Sequence, residues 1–190
     1  MSMWNRGNFM KRAIQFKLKN GKIVTIRRTR GYDYEAQMKF MEKFSKDPGA
    51  FNTWQYAGQP KKDKEKSIKM YESDDCLFVS VWDGNNIIAM GNIEKYRAGH
   101  PYSGRSAGVA VSVLQKYTHN GIGSKLLDIF EKWAHENNIH VLYAGVRHTN
   151  LASLGNCMKH GYEITGIKHD SAYINGEWIH EYILEKIIEK

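Results

Sequence analysis

Hydrophobic and polar residues alternate in short runs along the first half of the chain, and turn residues separate the runs. This alternation predicts strands at residues 13–19, 22–28, 77–82 and 86–93. The dipeptides Asn20-Gly21 and Asp83-Gly84, which favour two-residue hairpin turns, stand between the members of each pair. The pattern therefore predicts two β-hairpins.

Helical spacing is clearest after residue 121. Apolar residues recur there at intervals of three or four positions, namely Ile122, Leu126, Leu127, Phe130, Trp133 and Ala134. They predict an amphipathic helix whose apolar face is part of the core. A second helix is predicted from Asp33 to Phe44, with Asp33 as its candidate N-cap, and a charged helix from about Lys61 to Tyr71.

Two loops are candidates for the walls of a binding pocket. Residues 45–60 are rich in turn residues and aromatic rings. Phe51, Trp54 and Tyr56 either line a pocket or anchor this loop to the core. Residues 96–105 contain glycine and proline and predict an exposed connection that can reach the same region.

The run Ala107–Leu114 reads as a strand and leads through a glycine-spaced turn into the helix at Ile122. Such a turn can bind an anion, because backbone N–H groups and the positive end of the helix dipole converge there. Glycine at positions 121 and 123 lets the backbone approach a bulky phosphate, although an ordinary turn explains Gly121 equally well. The sequence lacks the third glycine of a dinucleotide fingerprint and the order of a Walker A loop. A different carrier of pyrophosphate is therefore expected.

This turn resembles that of the GNAT N-acetyltransferases, whose Gln/Arg-x-x-Gly-x-Gly/Ala loop surrounds the pyrophosphate of acetyl-CoA. Gly121, Gly123 and the helix start match the motif, whereas its first position is Thr118 here. A second block agrees in spacing: Asn150 follows a strand at 141–146, and Gly161-Tyr162 opens the next strand. A third block, residues 173–184, is similar to the closing hairpin of the family. The resemblance covers residues 76–190.

The resemblance implies a single α+β domain over residues 1–190, with a mixed, strongly twisted β-sheet flanked by helices. It implies that acyl-CoA binds in the splay between the family's fourth and fifth strands, and that acetyl-CoA is the co-substrate with no metal. The cofactor-binding residues that it implies are Val111, Val113, His119, Asn120, Gly121, Gly123, Ser124, Asn150 and Ser153. His119 and Asn120 are expected to shape the loop, and Asn150 is equally explained as a helix N-cap.

The candidate catalytic residues depart from the family pattern. Cys157 replaces the tyrosine that acts as general acid, and the acidic residue often found on the fourth strand falls near Gly108. Cys157 is the candidate acid, since a thiol can protonate a thiolate of similar basicity, and a small buried helix residue is the alternative reading. Glu94 is the first candidate base and His100 the second. Glu181 either binds the ammonium group of the acceptor or forms a cross-strand ion pair.

Composition narrows the class of protein. A formal net charge of +8 suits an anionic partner, and the scattered basic residues favour the phosphates of coenzyme A over specific nucleic-acid recognition. No apolar run approaches the roughly 20 residues of a membrane span. The two cysteines form neither a disulfide framework nor a zinc spacing, so a cytoplasmic protein is expected.

The sequence thus predicts an acetyl-CoA-dependent N-acetyltransferase that acts on a primary amine, first of all that of a small molecule. A peptide or protein amine is the next expectation for the acceptor. A regulatory protein that binds acyl-CoA without catalysis is the alternative from another class, and a basic nucleic-acid-binding module ranks third. No membrane partner is expected. A homodimer is a further expectation, since the C-terminal strands of this family often pair across a dimer.

Overall fold

The described part of the chain folds into one mixed β-sheet with helices packed against it. The computed structural model describes residues 9–52, 63–100 and 104–188, apart from the side chains of residues 51 and 52. Its strands are β1 (Ile14–Lys17), β2 (Ile23–Arg28), β3 (Cys76–Asp83), β4 (Asn86–Tyr96), β5 (Ser106–Val113), β6 (Val141–Arg147), β7 (Glu163–Ile174) and β8 (Glu177–Ile187). Its α-helices are α1 (Tyr34–Ser45), α2 (Lys64–Glu72), α3 (Ile122–Glu136) and α4 (Leu151–Lys159).

The strands form a single sheet in the order β1-β2-β3-β4-β5-β6-β8-β7. Neighbouring strands are antiparallel except β5 and β6, which are parallel. Strands β3, β4 and β5 form an antiparallel meander, and β3 and β4 are the second predicted hairpin. At the C-terminal edge, β7 and β8 meet at Asn175-Gly176, whose φ angles of 53° and 86° are typical of a type I′ hairpin turn. This arrangement confirms the predicted α+β class.

Helix α3 packs closely on the face of the sheet that carries Gly91 and Lys95. Every apolar residue predicted for its inner face is buried. A Cβ on Gly91 would lie 2.9 Å from Cζ of Phe130, so the missing side chain lets the helix approach β4. The Lys95 ammonium lies 5.4 Å from the ring centroid of Trp133 in the same helix. We call this surface of the sheet the α3 face.

Both predicted two-residue turns of the N-terminal half differ by one residue from the observed ones. The first hairpin has a three-residue loop, closed by the Leu18 N–H that donates to the Lys22 carbonyl at 2.8 Å. Gly21 adopts φ +87°, as expected for a left-handed residue that ends such a loop. In the second hairpin Asp83 pairs with Asn86, so the turn consists of Gly84 and the next residue. Pairing register, which a dipeptide signal does not fix, decides both positions.

Asp33 occupies the N-cap position of α1, as predicted, but its side chain does not cap the helix. Its carboxylate instead accepts two hydrogen bonds from the Arg27 guanidinium, at 2.6 and 2.7 Å, and one from the Arg30 N–H. Helix α2 is capped by Asp63, whose carboxylate accepts the Lys66 N–H at 3.0 Å. The Asp33 carboxylate pairs with Arg27 instead of capping α1, because a bidentate, charge-assisted pair is stronger than a hydrogen bond to a helix N–H.

Part of the predicted aromatic loop lies outside the described residues. The backbone of residues 48–52 forms a short 3-10 helix, but the predictions for the Phe51, Trp54 and Tyr56 side chains fall beyond what the structure describes. The start predicted for the charged helix, at about Lys61, falls there too. Among the helices that are described, none combines the length and apolar character needed to cross a membrane.

Candidate active site

A deep cleft opens where β5 and β6 separate. Their parallel pairing covers Ser106–Val141, Ala107–Leu142 and Gly108–Tyr143, after which the two strands diverge. The cleft that opens beyond this point has a volume of about 1670 Å³. Binding sites for small molecules commonly measure about 300–1,000 Å³, so this cleft has room for two ligands, one of them long. The predicted splay is thus present.

The two walls of the cleft belong to opposite faces of the sheet. Residues paired across strands share a face, because side chains alternate along each strand. Val111 pairs with Gly91 and so lies on the α3 face, as does Val113. Glu94 pairs with Gly108, which pairs with Tyr143, and these three define the other side, here called the tyrosine face. The splay therefore forms a slit that joins the two faces.

The start of α3 meets the cleft without a capping side chain. Gly121 occupies the N-cap position in the left-handed conformation, with φ +85°, and no side-chain hydrogen bond caps the helix. The first N–H groups of a helix have no intrahelical carbonyl to bind, so they need another acceptor. Gly121, Gly123 and Ser124 line the cleft. The first turn of α3 thus offers donors and a positive dipole end to an anion there.

The loop before α3 is held in shape by its own side chains. Asn120 donates from Nδ2 to the Thr118 carbonyl at 3.0 Å, and its Oδ1 accepts the Asn20 N–H at 3.3 Å. The neighbouring His119 adopts φ +61°, is exposed and lines the cleft, whereas Asn120 does not. Asn120 therefore braces the loop against the first hairpin, and His119 is the one of the two that faces the cleft.

Helix α4 forms the other wall of the cleft on the α3 face. Asn150 caps it: its Oδ1 accepts the Ser153 N–H at 3.2 Å, which confirms the N-cap reading. The Ser124 hydroxyl of α3 donates to the side-chain oxygen Oδ1 of Asn156. Asn156 also lies close to Gly123, where a Cβ would be 3.4 Å from its Nδ2. The first turn of α3 is thus tied to the second turn of α4 beside the slit.

Cys157 lies on this same wall and is 5% exposed. Burial raises the pKa of its thiol to about 11, and a hydrogen bond with Ser153 opposes that shift. The thiol is therefore protonated at neutral pH. Cys157 is thus a buried helix residue, as one of the two readings expected. Its role as proton donor stays a prediction.

The tyrosine face brings together residues that are far apart in the sequence. Glu94 is exposed at its rim and lines the cleft, while His100 lies in the turn beyond β4 and is not among the cleft-lining residues that are described. The ring of Tyr96 lies 5.6 Å, centroid to centroid, from that of Tyr143. The Tyr96 hydroxyl fills the space above Gly108 that a side chain would need. No acidic side chain can project from position 108 in this arrangement.

A second glycine makes room for a carboxylate in the same way. A Cβ on Gly145 of β6 would overlap the Glu181 carboxylate, which reaches over it from β8. Glu181 is 3% exposed and pairs across the strands with Arg147, also buried. Lys168 of β7 donates to the Glu181 carboxylate at 3.2 Å, so the cross-strand ion pair expected for Glu181 is present.

Sequence patterns did not single out Tyr96 and Tyr143. The signal that could have found them is a glycine in the middle of a predicted strand, because such a residue often marks a close approach by another group. Gly108 and Gly145 both carry that signal. Within the described ranges, no group of three or more His, Cys, Asp or Glu residues is arranged to hold a metal ion.

The comparisons with known proteins agree with this geometry. A family model described as acetyltransferase (GNAT) domain matches residues 23–183, most of the chain. The protein belongs to the GNAT acetyltransferase family. Membership makes it an acyltransferase, and the matched range contains both walls of the slit. No curated protein sequence is significantly similar to it.

Solved structures show the same fold at low sequence identity. A GNAT acetyltransferase from Streptococcus pneumoniae is 23% identical, with a TM-score of 0.77 over 87% of this chain and 99% of that one. The yncA protein of Salmonella typhimurium, solved with its cofactor acetyl-CoA, is 17% identical, with a TM-score of 0.71 over 88% and 95%. A ribosomal-protein-alanine N-acetyltransferase from Brucella melitensis is 22% identical, with a TM-score of 0.67 over 85% and 98%.

Proposed function

We propose that this GNAT acetyltransferase transfers the acetyl group of acetyl-CoA to a primary amine of a small molecule, by direct attack in a ternary complex. The slit between β5 and β6 carries the proposal. It joins the uncapped start of α3 on one face of the sheet to carboxylate and tyrosine groups on the other. An amine and a thioester that meet in this slit react without a further bimolecular encounter, which supplies much of the rate.

The residues that would hold acetyl-CoA are those of the α3 face. The N–H groups of the turn at Gly121, Gly123 and Ser124 suit a pyrophosphate, and the glycines leave space for it. The edge of β5 at Val111 and Val113 has no β6 partner along this stretch and is open to the pantetheine amides. His119, Asn150 and Ser153 complete the proposed set, with Asn120 in the supporting role described above. Bound here, acetyl-CoA supplies the activated acyl carbon.

The proposed proton-transfer groups lie on the sides where their roles require them. A base has to face the incoming amine, and Glu94 lies on the tyrosine face. An acid has to face the departing thiolate, and Cys157 lies on the α3 face. Because its pKa is about 11, Cys157 holds its proton at neutral pH, and giving up that proton costs about 3 kcal/mol more than it does for an ordinary thiol.

A small acceptor fits the burial of the tyrosine face better than a protein does. Glu181, the carboxylate over Gly145, is 3% exposed, so a group that contacts it must enter the cleft. A lysine side chain or a peptide N-terminus can enter in the same way, and the Brucella melitensis relative is named for a ribosomal protein. A peptide or protein amine is therefore the second candidate acceptor.

Acetyl transfer is tested by incubating the protein with acetyl-CoA and a set of primary amines, together with a short peptide that contains one lysine. Mass spectrometry of the mixture detects an N-acetylated product directly. Acetylated small amines are the expected result. Product from the peptide alone would move the acceptor to a protein. Calorimetric binding of acetyl-CoA without any product would overturn the proposal in favour of a regulator that binds acyl-CoA.

The cellular setting is also a proposal. Both cysteines, Cys76 and Cys157, are buried free thiols, which suits the reducing cytoplasm. A homodimer is supported by β7, an edge strand that exposes Ile164 and Ile167. Light scattering of the purified protein measures its mass in solution and decides between monomer and dimer.

A further inference from the structure

The Glu181 carboxylate is buried in the wall of the cleft where an acceptor would enter. It occupies the space above Gly145, where β6 has no side chain, and it is 3% exposed. Burial of a carboxylate is unfavourable unless an opposite charge or hydrogen-bond donors compensate for the lost water. Glu181 therefore needs a compensating partner in the free enzyme.

The partner that the structure shows is a lysine that remains largely in solvent. Lys168 Nζ lies 3.2 Å from Oε2 of Glu181, yet the Lys168 side chain is 60% exposed. Its strand is irregular immediately beyond this residue, where the pairing of β7 with β8 shifts between Lys168 and Ala172. When another cation takes its place beside Glu181, a long, exposed side chain at such a position can leave at little cost, because it returns to water and regains its rotational freedom.

Other charges and rings converge on the same place. Burial raises the pKa of the Tyr96 hydroxyl, the negative charges of Glu94 and Glu181 raise it further, and Lys168 opposes the shift. These groups are therefore close enough to interact across the mouth of the slit. Arg147 lies beside Glu181 in register; burial lowers its pKa, and the charge of Glu181 opposes that change. The rings of Tyr96 and Tyr143 add apolar surface that suits an alkyl chain.

We propose that Glu181 binds the ammonium group of the acceptor, and that Lys168 occupies that position until the acceptor arrives. The inference rests on the proposed acetyl transfer and adds to it the residue that binds the acceptor and the side chain that competes with the acceptor. The acceptor is an alkylammonium, because the group it replaces is itself a primary ammonium on an alkyl chain. Lys168 acts as an internal competitor, and Glu181 contacts the substrate.

The reaction balances with this assignment. The bound ammonium gives one proton to a base, for which Glu94 is proposed, and the neutral nitrogen forms a bond to the acetyl carbon. The bond from that carbon to sulfur then breaks. The departing thiolate receives the second amine proton directly, or it receives the proton of Cys157, and the second amine proton then reprotonates Cys157. The product is a neutral amide that no longer pairs with Glu181. Lys168 can then return, which favours product release.

Binding can be tested without turnover by NMR. Protein with 13C-labelled lysine is titrated with n-butylammonium chloride, and the signal of the Lys168 ε-carbon, assigned by its absence in Lys168→Met, is followed. A saturable shift of this signal is expected, with none on adding n-butanol. The shift should be lost in Glu181→Gln and kept in Glu177→Gln, which removes the same charge from the exposed end of the same strand. No shift in the wild type up to saturating amine would overturn the proposal.

Kinetics with an amine found to be a substrate distinguish binding from structure. Glu181→Gln should raise KM for the amine on the order of tenfold or more, as expected for loss of a charged hydrogen-bond partner, and leave the Kd of acetyl-CoA unchanged. Lys168→Met should lower KM, because the competitor is gone. If both variants raised KM equally, the pair would be structural and the proposal wrong. Absence of turnover in the wild type with a normal NMR shift would count against acetyl transfer and leave the ammonium site standing.

Discussion

Replacement of Gly108 by alanine is expected to displace Tyr96 while the sheet stays intact. The new Cβ would overlap the Tyr96 hydroxyl and lie 2.7 Å from its Cζ, so the ring must turn away. Tyr96 is 47% exposed and can move into solvent. What it loses is its contact with Tyr143, at a centroid distance of 5.6 Å. Aromatic pairs contribute about 0.5–1.5 kcal/mol.

This loss is offset by the backbone. Alanine is favoured over glycine inside a strand by roughly 0.5–1 kcal/mol. Gly108→Ala should therefore change the free energy of unfolding by less than about 1 kcal/mol. In a Tyr96→Ala background the overlap is absent, and the same replacement should stabilise the protein by roughly 0.5–1 kcal/mol. The coupling energy between the two positions is then about 1 kcal/mol.

Urea denaturation of the wild type, the two single variants and the double variant measures this coupling. Acetyl-CoA binding by Gly108→Ala should be unchanged, because the residues proposed to hold it lie on the α3 face. The turnover number should fall, because Tyr96 leaves the mouth of the slit. Effects on unfolding that add within about 0.3 kcal/mol would show that Tyr96 does not fill the space over Gly108.

Three further predictions concern the proposed cofactor and proton-transfer residues. Glu94→Gln should lower kcat by about 10²–10⁴-fold at unchanged Kd for acetyl-CoA, as measured by thiol release and calorimetry; an unaltered kcat would exclude Glu94 as the base. Asn150→Ala and Asp63→Ala should each cost about 1 kcal/mol of stability through loss of a helix cap, but calorimetry should show weaker acetyl-CoA binding only for Asn150→Ala. The pKa of Cys157 is raised to about 11 in the folded protein, so the thiol of the unfolded chain ionises first as pH rises and stability falls between pH 9 and 11. In urea titrations across this range, Cys157→Ala should remove up to about 3 kcal/mol of that fall. The same dependence of stability on pH in the variant and the wild type would contradict the raised pKa.

Elements with a strong local pattern were predictable from the sequence. The apolar spacing of α3 and the Gly121 turn depend on residues close together in the chain, so periodicity and glycine preference identify them. The order of strand, helix and closing hairpin also follows from local patterns together with the family resemblance. Turn positions were less secure, because pairing register moved two of them by one residue.

The chemistry of the tyrosine face was not predictable in the same way. Tyr96, Tyr143 and Glu181 meet only because β4, β5, β6 and β8 are neighbours in the sheet, and no local pattern encodes that order. Asp33 shows the same limit on a smaller scale. Its sequence position suits a helix cap, but its carboxylate accepts hydrogen bonds from the Arg27 guanidinium of β2.

Calorimetric titration of acetyl-CoA into two matched glycine variants tests whether the start of α3 binds the cofactor. Gly121 and Gly176 have nearly the same φ, 85° and 86°, so aspartate is placed in a disfavoured left-handed φ at both positions. Only position 121 lies at the start of α3 in the slit. Gly176→Asp should bind acetyl-CoA like the wild type, whereas Gly121→Asp, folded by circular dichroism, should not bind it. Equal binding by both variants would contradict a pyrophosphate site at the α3 N-terminus.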